Sequence, residues 1–258
     1  MLIETNNLSI GHKKNVDDSP IQRDINLQIG YGKLIALVGT NGIGKSTLLQ
    51  TIAGLIPPIS GNIKIEGSNV SAFNPIDWAK KCAIVLTEKS LYQNITVKEL
   101  ISLGRQPYTN WLGTLNQEDY EKVEAAMEVT GVQNWANKNI AELSDGQKQK
   151  VFIARAIAQD TPLILMDEPT THLDFYNKIQ FQKLVKKMSA LGKTVIYSTH
   201  DLDLAIQFSD ELIVLSSKQI VHNTAEKLIQ EQVFDYFFDV NDIEFDRQNK
   251  RFIVKSNL

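Results

Sequence analysis

Gly39-Thr40-Asn41-Gly42-Ile43-Gly44-Lys45-Ser46 sets a glycine-rich loop directly ahead of a lysine and a hydroxyl. The spacing is that of the phosphate-binding pattern G-x-x-x-x-G-K-[ST]. The apolar run Ile35-Ala36-Leu37-Val38 before it and the helical run Thr47 to Ala53 after it supply the strand–loop–helix context the pattern requires. The glycines permit a tight turn whose backbone N–H groups face phosphate oxygens, and the following helix adds its positive dipole end. Lys45 is placed to reach the β- and γ-phosphates of a nucleotide. Ser46 offers a hydroxyl to Mg²⁺, which prefers to bridge phosphate oxygens and keep several waters.

A second group sits at the end of another apolar run, Leu163-Ile164-Leu165-Met166, where Asp167 and Glu168 follow in succession. Acids at the end of a buried strand lie where open α/β sheets bind ligands. Asp167 suits the second Mg²⁺ anchor, through water, and Glu168 suits a general base that polarises the water attacking a γ-phosphate. Thr199-His200 closes a further apolar run in the same way. His200 is placed to contact the γ-phosphate and orient Glu168 or the water, although a lone histidine there is more often structural. Leu143-Ser144-Asp145-Gly146-Gln147 reads, on its own, as an N-cap with Gln147 returning to the Ser144 backbone.

The elements that must hold these groups alternate short β-type runs with helical patterns, which predicts an α/β fold with a parallel sheet covered by helices. Ile35–Val38, Ala83–Leu86, Leu163–Met166, Val195–Ser198 and Leu212–Leu215 are near-continuous apolar runs, as strands buried on both faces require. Leu2 to Ile10 and Ile21 to Ile29 are more polar and alternating, which predicts a small antiparallel layer beside the core. From Thr96 to Gln159 only helical patterns occur. They begin with the capping box Thr96-Val97-Lys98-Glu99, a second helix runs from Asn116 to Gly131, and a third follows Ser144. Another short helix is expected to begin at Asn223, and Ile243–Phe245 and Phe252–Val254 flank a polar turn like a terminal hairpin.

Of the 258 residues, 43% are apolar and 22% charged, which excludes disordered and collagen-like readings. With 27 basic and 30 acidic residues the net charge is −3, so the basic excess of a nucleic-acid binder is missing and no nucleic-acid partner is expected. The single cysteine, Cys82, precedes an apolar run and reads as a core thiol of a reducing compartment. Nothing at the N-terminus resembles a signal peptide, and no apolar run approaches the roughly 20 residues of a membrane span. Any membrane role is expected to come through another chain.

Taken together, the phosphate loop, the Asp167-Glu168 strand end and Leu143-Ser144-Asp145-Gly146-Gln147 resemble the ABC transporter ATPases. The last segment is similar to that family's LSGGQ signature, Thr171-His172-Leu173-Asp174 to its D-loop, and His200 to its switch histidine. The resemblance covers residues 1 to 230, with a P-loop core, an antiparallel β subdomain and a helical subdomain over about 96–159. Residues 231–258 form a short extension.

The resemblance implies ATP and Mg²⁺ as cofactors and a head-to-tail homodimer in which two ATP molecules are sandwiched. Each lies between one chain's phosphate loop, Gly39 to Thr47, and the other chain's Ser144, Gly146, Gln147 and Asp174. His12 stands where the family carries an aromatic residue that stacks on adenine. Thr87-Glu88 stands in place of the Q-loop glutamine, and Glu88, at another strand end, is the expected substitute toward Mg²⁺ or water. Asp145 replaces a glycine of the signature and, as an acid in a first helical turn, favours the helix dipole.

The stretch Leu103-Gly104-Arg105-Gln106-Pro107-Tyr108 looks like the ATPases of bacterial importers for iron-siderophore, haem and vitamin B12 complexes. A helix end capped by Gly104 and stopped by Pro107 would give the same residues. The importer resemblance implies transmembrane permease subunits, indirectly a solute-binding protein, and a peripheral position on the cytoplasmic face of the cell membrane. A non-transport ABC protein acting on ribosomes or DNA is the competing reading, and a transporter for another solute a further one. A fused second ATPase half or a basic face, which would favour the former, is missing here. A P-loop kinase would lack the signature segment.

Overall fold

The computed structural model describes residues 1–11, 20–86, 94–171, 173–216, 219–237 and 243–254. Two sheets form the base of the molecule. In the first, β1 (Ile3–Ile10) pairs antiparallel with β2 (Gln22–Ile25) and β3 (Gln28–Ile29). The second begins with β4 (Leu34–Gly39), every residue of which is buried, and the chain then turns into α1 (Lys45–Ile52). β5 (Ser60–Ile65) and β6 (Ser68–Asn69) return to the antiparallel sheet, whose order is β2-β1-β5-β6 with β3 on β1.

The expected strand from Ile21 to Ile29 is broken in two. Asp24 takes a left-handed φ of 53°, and the Asn26 amide donates to the Asp24 carbonyl at 2.9 Å while its oxygen accepts from the Asn7 N–H. Side-chain bonds of this kind compete with the ladder and end it.

After α2 (Pro75–Ala79) the chain adds β7 (Cys82–Val85), then leaves the sheet for α3 (Val97–Ser102), α4 (Gln117–Thr130) and α5 (Asp145–Ala158). It returns as β8 (Leu163–Met166), α6 (Phe175–Ala190), β9 (Thr194–Ser198), α7 (Leu202–Phe208), β10 (Glu211–Leu215) and β11 (Ile220–Asn223). The six-stranded order is β11-β10-β4-β9-β8-β7, parallel throughout except for β11. β11 covers an edge that the sequence did not reveal. The helix expected from Asn223 starts one residue later: Thr224 caps α8 (Ala225–Gln230), because Asn223 is still paired with Leu212 in β11. A hairpin of β12 (Ile243–Asp246) and β13 (Arg251–Val254) closes the described chain.

The alternation of a strand decides which core each side chain joins. Leu34, Ala36 and Val38 of β4 pack with Ile153, Phe181, Val185 and the aromatic residues Phe234, Phe237 and Phe245 on one face. Ile35 and Leu37 pack with Leu48, Leu49 and Ile52 of α1 and with the antiparallel sheet on the other. Cys82 is buried there, and burial pushes its thiol well above the ordinary range.

The helical segment has its own core of Val97, Leu100, Ile101, Val123, Met127, Val151 and Ala154. α5 joins the two, with Val151, Ala154 and Ala158 facing the helical core and Ile153 and Ala156 facing the sheet. All three of its α-helices open on capping boxes, at Thr96, Asn116 and Ser144, and Gly131 closes α4 in the left-handed region.

Gly104 is not a helix cap. α3 runs on into a 3-10 turn, Leu103–Tyr108, that contains both Gly104 and Pro107. A Cβ on Gly104 would lie 2.3 Å from the Arg155 carbonyl oxygen, so the glycine permits close approach to α5. The neighbouring Arg105 is buried, donating to Asp119 Oδ1 at 2.9 Å and to the Ala158 carbonyl at 2.8 Å, with the Tyr108 ring 4.0 Å away. The Leu-Gly-Arg-x-Pro stretch is therefore the point where the three helices are locked together.

Candidate active site

Register brings the site to one sheet edge. Leu37 pairs with Ser198 and Met166 with Tyr197, so the residues following β4, β8 and β9 emerge side by side. The loop after β4 needs its glycines: Gly44 has φ 108°, a region costly for other residues, and a Cβ on Gly39 would meet Leu215 O at 2.8 Å. Gly44 caps α1 without any side-chain bond, and no acid lies in the first turn, so the first N–H groups remain available to phosphate oxygens.

Thr40, Asn41 and Gly42 are exposed, Ile43 is half-buried and Thr47 is buried. Lys45 is buried and donates to the carbonyls of Gly39 at 3.0 Å and Thr40 at 3.2 Å. Burial pulls its ammonium below the usual lysine range, while Glu168 and Asp167 oppose the shift. Gln22 braces the loop, its amide donating to Ile43 O at 3.1 Å and Ser216 O at 3.3 Å.

A continuous set of hydrogen bonds crosses from this loop to the acids. Ser46 Oγ donates to Asp167 Oδ1 at 3.0 Å, and Ser198 Oγ donates to the same oxygen at 2.7 Å. Ser198 in turn accepts from the Glu168 N–H at 2.7 Å. Glu168 Oε1 lies 2.7 Å from His200 Nε2, and Thr171 Oγ1 donates to Oε2 at 3.1 Å. Burial alone would push the Glu168 carboxyl up; His200, the Thr171 hydroxyl and Lys45 outweigh it and hold the group below the usual glutamate range. The His200 turn is fixed from behind by Lys178, which pairs with Asp201 at 2.6 Å.

Ser46 and Asp167 present a hydroxyl and a carboxylate oxygen within 3.0 Å of each other beside the phosphate loop. This oxygen-only pair fits Mg²⁺, which takes few protein ligands and fills its octahedron with phosphate oxygens and water. Among the described residues no cluster of three or more His, Cys, Asp or Glu could hold a metal independently, and no helix is long and apolar enough to cross a membrane.

Ser144, Gly146, Gln147 and Asp174 stand apart from this network. Ser144 and Gln147 bond to each other as the N-terminal cap of α5, with Ser144 N donating to Gln147 Oε1 at 3.0 Å. Asp174 caps α6, accepting from Asn177 N at 2.8 Å. A Cβ on Gly146 would meet Leu173 Cδ2 at 3.3 Å. Among the described residues, no hydrogen bond joins these groups to the phosphate loop.

Residues 22–171 match the family model for ABC transporter. The chain belongs to the ABC transporter family. It is 32% identical over 259 residues to the petrobactin import ATP-binding protein FpuC of Bacillus anthracis, covering 100% of this chain and 94% of that one. It is 34% identical over 241 residues to the iron(3+)-hydroxamate import ATP-binding protein FhuC of Bacillus subtilis, covering 93% and 88%. Among solved structures it is similar to the dimeric post-hydrolysis state of the ATP-binding cassette MJ0796 bound to ADP and Pi. That match has a TM-score of 0.75 and 26% identity, and covers 87% of this chain and 99% of that one.

As an ABC transporter ATP-binding subunit, the chain binds and hydrolyses ATP. The positions expected from family resemblance at His12, Thr87, Glu88 and His172 lie outside the described residues. Gln22 and Ser198 joined the site only in three dimensions, and Thr171, named above with the D-loop segment, gained its contact with Glu168 there. Ser198 had a faint signal, a small hydroxyl residue at the end of an apolar run beside Thr199-His200.

Proposed function

We propose that this ABC ATPase powers import of an iron-siderophore, haem or cobalamin-type complex. It does so as a head-to-tail homodimer held by permease subunits at the cytoplasmic face of the cell membrane, with a solute-binding protein delivering the cargo. The names of the similar FpuC and FhuC proteins support the solute class. The dimeric cassette similar to this chain supports the assembly. Residues 1–230 serve as the ATPase domain with the helical subdomain of about 96–159 inserted, and 231–258 as its extension.

The observation that carries the hydrolytic reading is the unbroken set of bonds Ser46–Asp167–Ser198–Glu168–His200. In this reading Gly39 to Thr47 cradle the phosphates, and Lys45 neutralises the β- and γ-phosphates. Ser46 and Asp167 hold Mg²⁺, which supplies charge neutralisation when bound. Glu168 takes a proton from water as the water oxygen bonds to the γ-phosphorus, and the bond to the β–γ bridging oxygen breaks in line. His200 holds Glu168 by its Oε1. Ser144, Gly146, Gln147 and Asp174 belong to the partner copy's nucleotide, as the family resemblance implies; among the described residues Ser144 bonds to Gln147 and Asp174 to Asn177. By family resemblance, His12 would take the adenine-stacking role and Glu88 the role of the Q-loop glutamine toward Mg²⁺ or water.

The test is purification of the Glu168→Gln variant from native membranes in ATP, followed by identification of the associated chains. A dimer recovered with a polytopic permease is the expected result. Recovery with soluble or ribosomal partners alone would overturn the transport reading.

A further inference from the structure

Glu168 is held from more sides than its role as a base requires. Its backbone sits at φ 45°, a left-handed conformation that a residue with a Cβ adopts at a cost. Ser198 accepts its N–H at 2.7 Å, the Thr171 N–H donates to its carbonyl at 3.4 Å, and the single Thr171 hydroxyl proton is shared between that carbonyl at 3.2 Å and the carboxylate. The carboxylate is then gripped at both oxygens, Oε1 by His200 at 2.7 Å and Oε2 by Thr171 at 3.1 Å. The last torsion of a glutamate is broad, so one anchor leaves the carboxylate plane free to turn, whereas two anchors on different oxygens fix it. A carboxylate accepts at about four lone-pair sites, and these two bonds leave others open for a water.

We propose that Thr171 is a positioning residue for hydrolysis: its hydroxyl sets the plane of the Glu168 carboxylate against His200, so that an open lone pair faces the attacking water. The proposal rests on Glu168 being the base. Thr171 is exposed, so valine replaces it without opening a cavity and removes only the hydroxyl.

The experiment measures steady-state ATP hydrolysis of wild type, Thr171→Val, Thr171→Ser and Glu168→Gln, with thermal unfolding of each as a check of folding. Thr171→Val is expected to lower kcat about ten-fold with KM for ATP unchanged, the signature of an interaction that orients a reacting group rather than binds substrate. Thr171→Ser, which keeps the hydroxyl, restores kcat. If Thr171→Val keeps the wild-type kcat while Glu168→Gln is inactive, the proposal fails and the base assignment stands. If Glu168→Gln hydrolyses ATP like wild type, the base assignment fails and the proposal with it. A serine variant as slow as the valine variant, or a loss carried by KM, also overturns it. Should the valine variant unfold, Thr171→Ala decides by the same readouts.

Discussion

At the residue scale, Lys45 illustrates how a charged group can be stored in a core until a ligand arrives. Its ammonium is buried and already holds the carbonyls of Gly39 and Thr40 at 3.0 and 3.2 Å, so it is pre-oriented at the mouth of the loop. Exchange of these neutral acceptors for anionic phosphate oxygens turns charge–dipole contacts into ion pairs, hydrogen bonds to charged groups being worth about 1.5–3 kcal/mol each. Lys45→Ala is therefore expected to weaken binding of a non-hydrolysable ATP analogue by about ten- to a hundred-fold in calorimetric titration. An unchanged affinity would remove Lys45 from the site. Asp167 shows the same economy, one oxygen accepting from both Ser46 and Ser198.

At the scale of elements, the Arg105–Asp119 pair decides whether the helices move as one body. Both side chains are almost wholly buried, and the guanidinium also bonds Ala158 O at the end of α5. Loss of one partner of a buried pair costs on the order of 3–5 kcal/mol, because the other charge is left uncompensated. Arg105→Met is expected to lower the denaturant midpoint accordingly, and adding Asp119→Leu to recover only part of the loss, because Asp119 also accepts from the Asn116 N–H in the α4 capping box. Burial would push the Asp119 carboxyl up, yet the Asn116 N–H and Arg105 more than offset this and hold it below the usual aspartate range.

A carboxyl lowered on folding stabilises the fold fully above its unfolded value, about 3.9, and the contribution is lost as pH falls through the lower folded value. Acid unfolding of the wild type is thus expected to steepen below about pH 4. The steepening should be smaller in the double variant, the remainder belonging to other lowered carboxylates such as Glu168 and Asp160; an unchanged slope would remove Asp119 from it. The Leu-Gly-Arg-x-Pro stretch was legible as a pattern, but its meaning was not. Gly104 reads equally well as a cap until α5 is seen against it.

At the scale of the whole molecule, the phosphate loop and the signature turn at Ser144 share no hydrogen bond among the described residues, and in the proposed head-to-tail dimer each would meet its counterpart on the other copy. A two-fold partner that supplies that counterpart makes hydrolysis depend on association. Specific activity is therefore expected to rise with protein concentration until the dimer saturates. A rate per chain constant from nanomolar to micromolar protein would indicate that one chain suffices. The C-terminal hairpin belongs to this scale too, since Phe245 packs on Phe234 at 4.9 Å between ring centres and joins the core beneath the sheet.

The sequence by itself determined the phosphate loop, the two acids at a strand end, the buried parallel strands and the helix starts at Thr96, Asn116 and Ser144. Each of these is written in short-range spacing: a loop pattern, an apolar run, or a cap three residues before its partner. Only the tertiary structure decided that Ser198 links Asp167 to Glu168, that Gln22 braces the loop from another sheet, and that Gly104 makes room for α5. These contacts join residues 21 to 51 positions apart, and they depend on which elements are neighbours and in what register. Hydrophobic periodicity does not encode that order, because a buried strand looks the same whichever strand lies beside it.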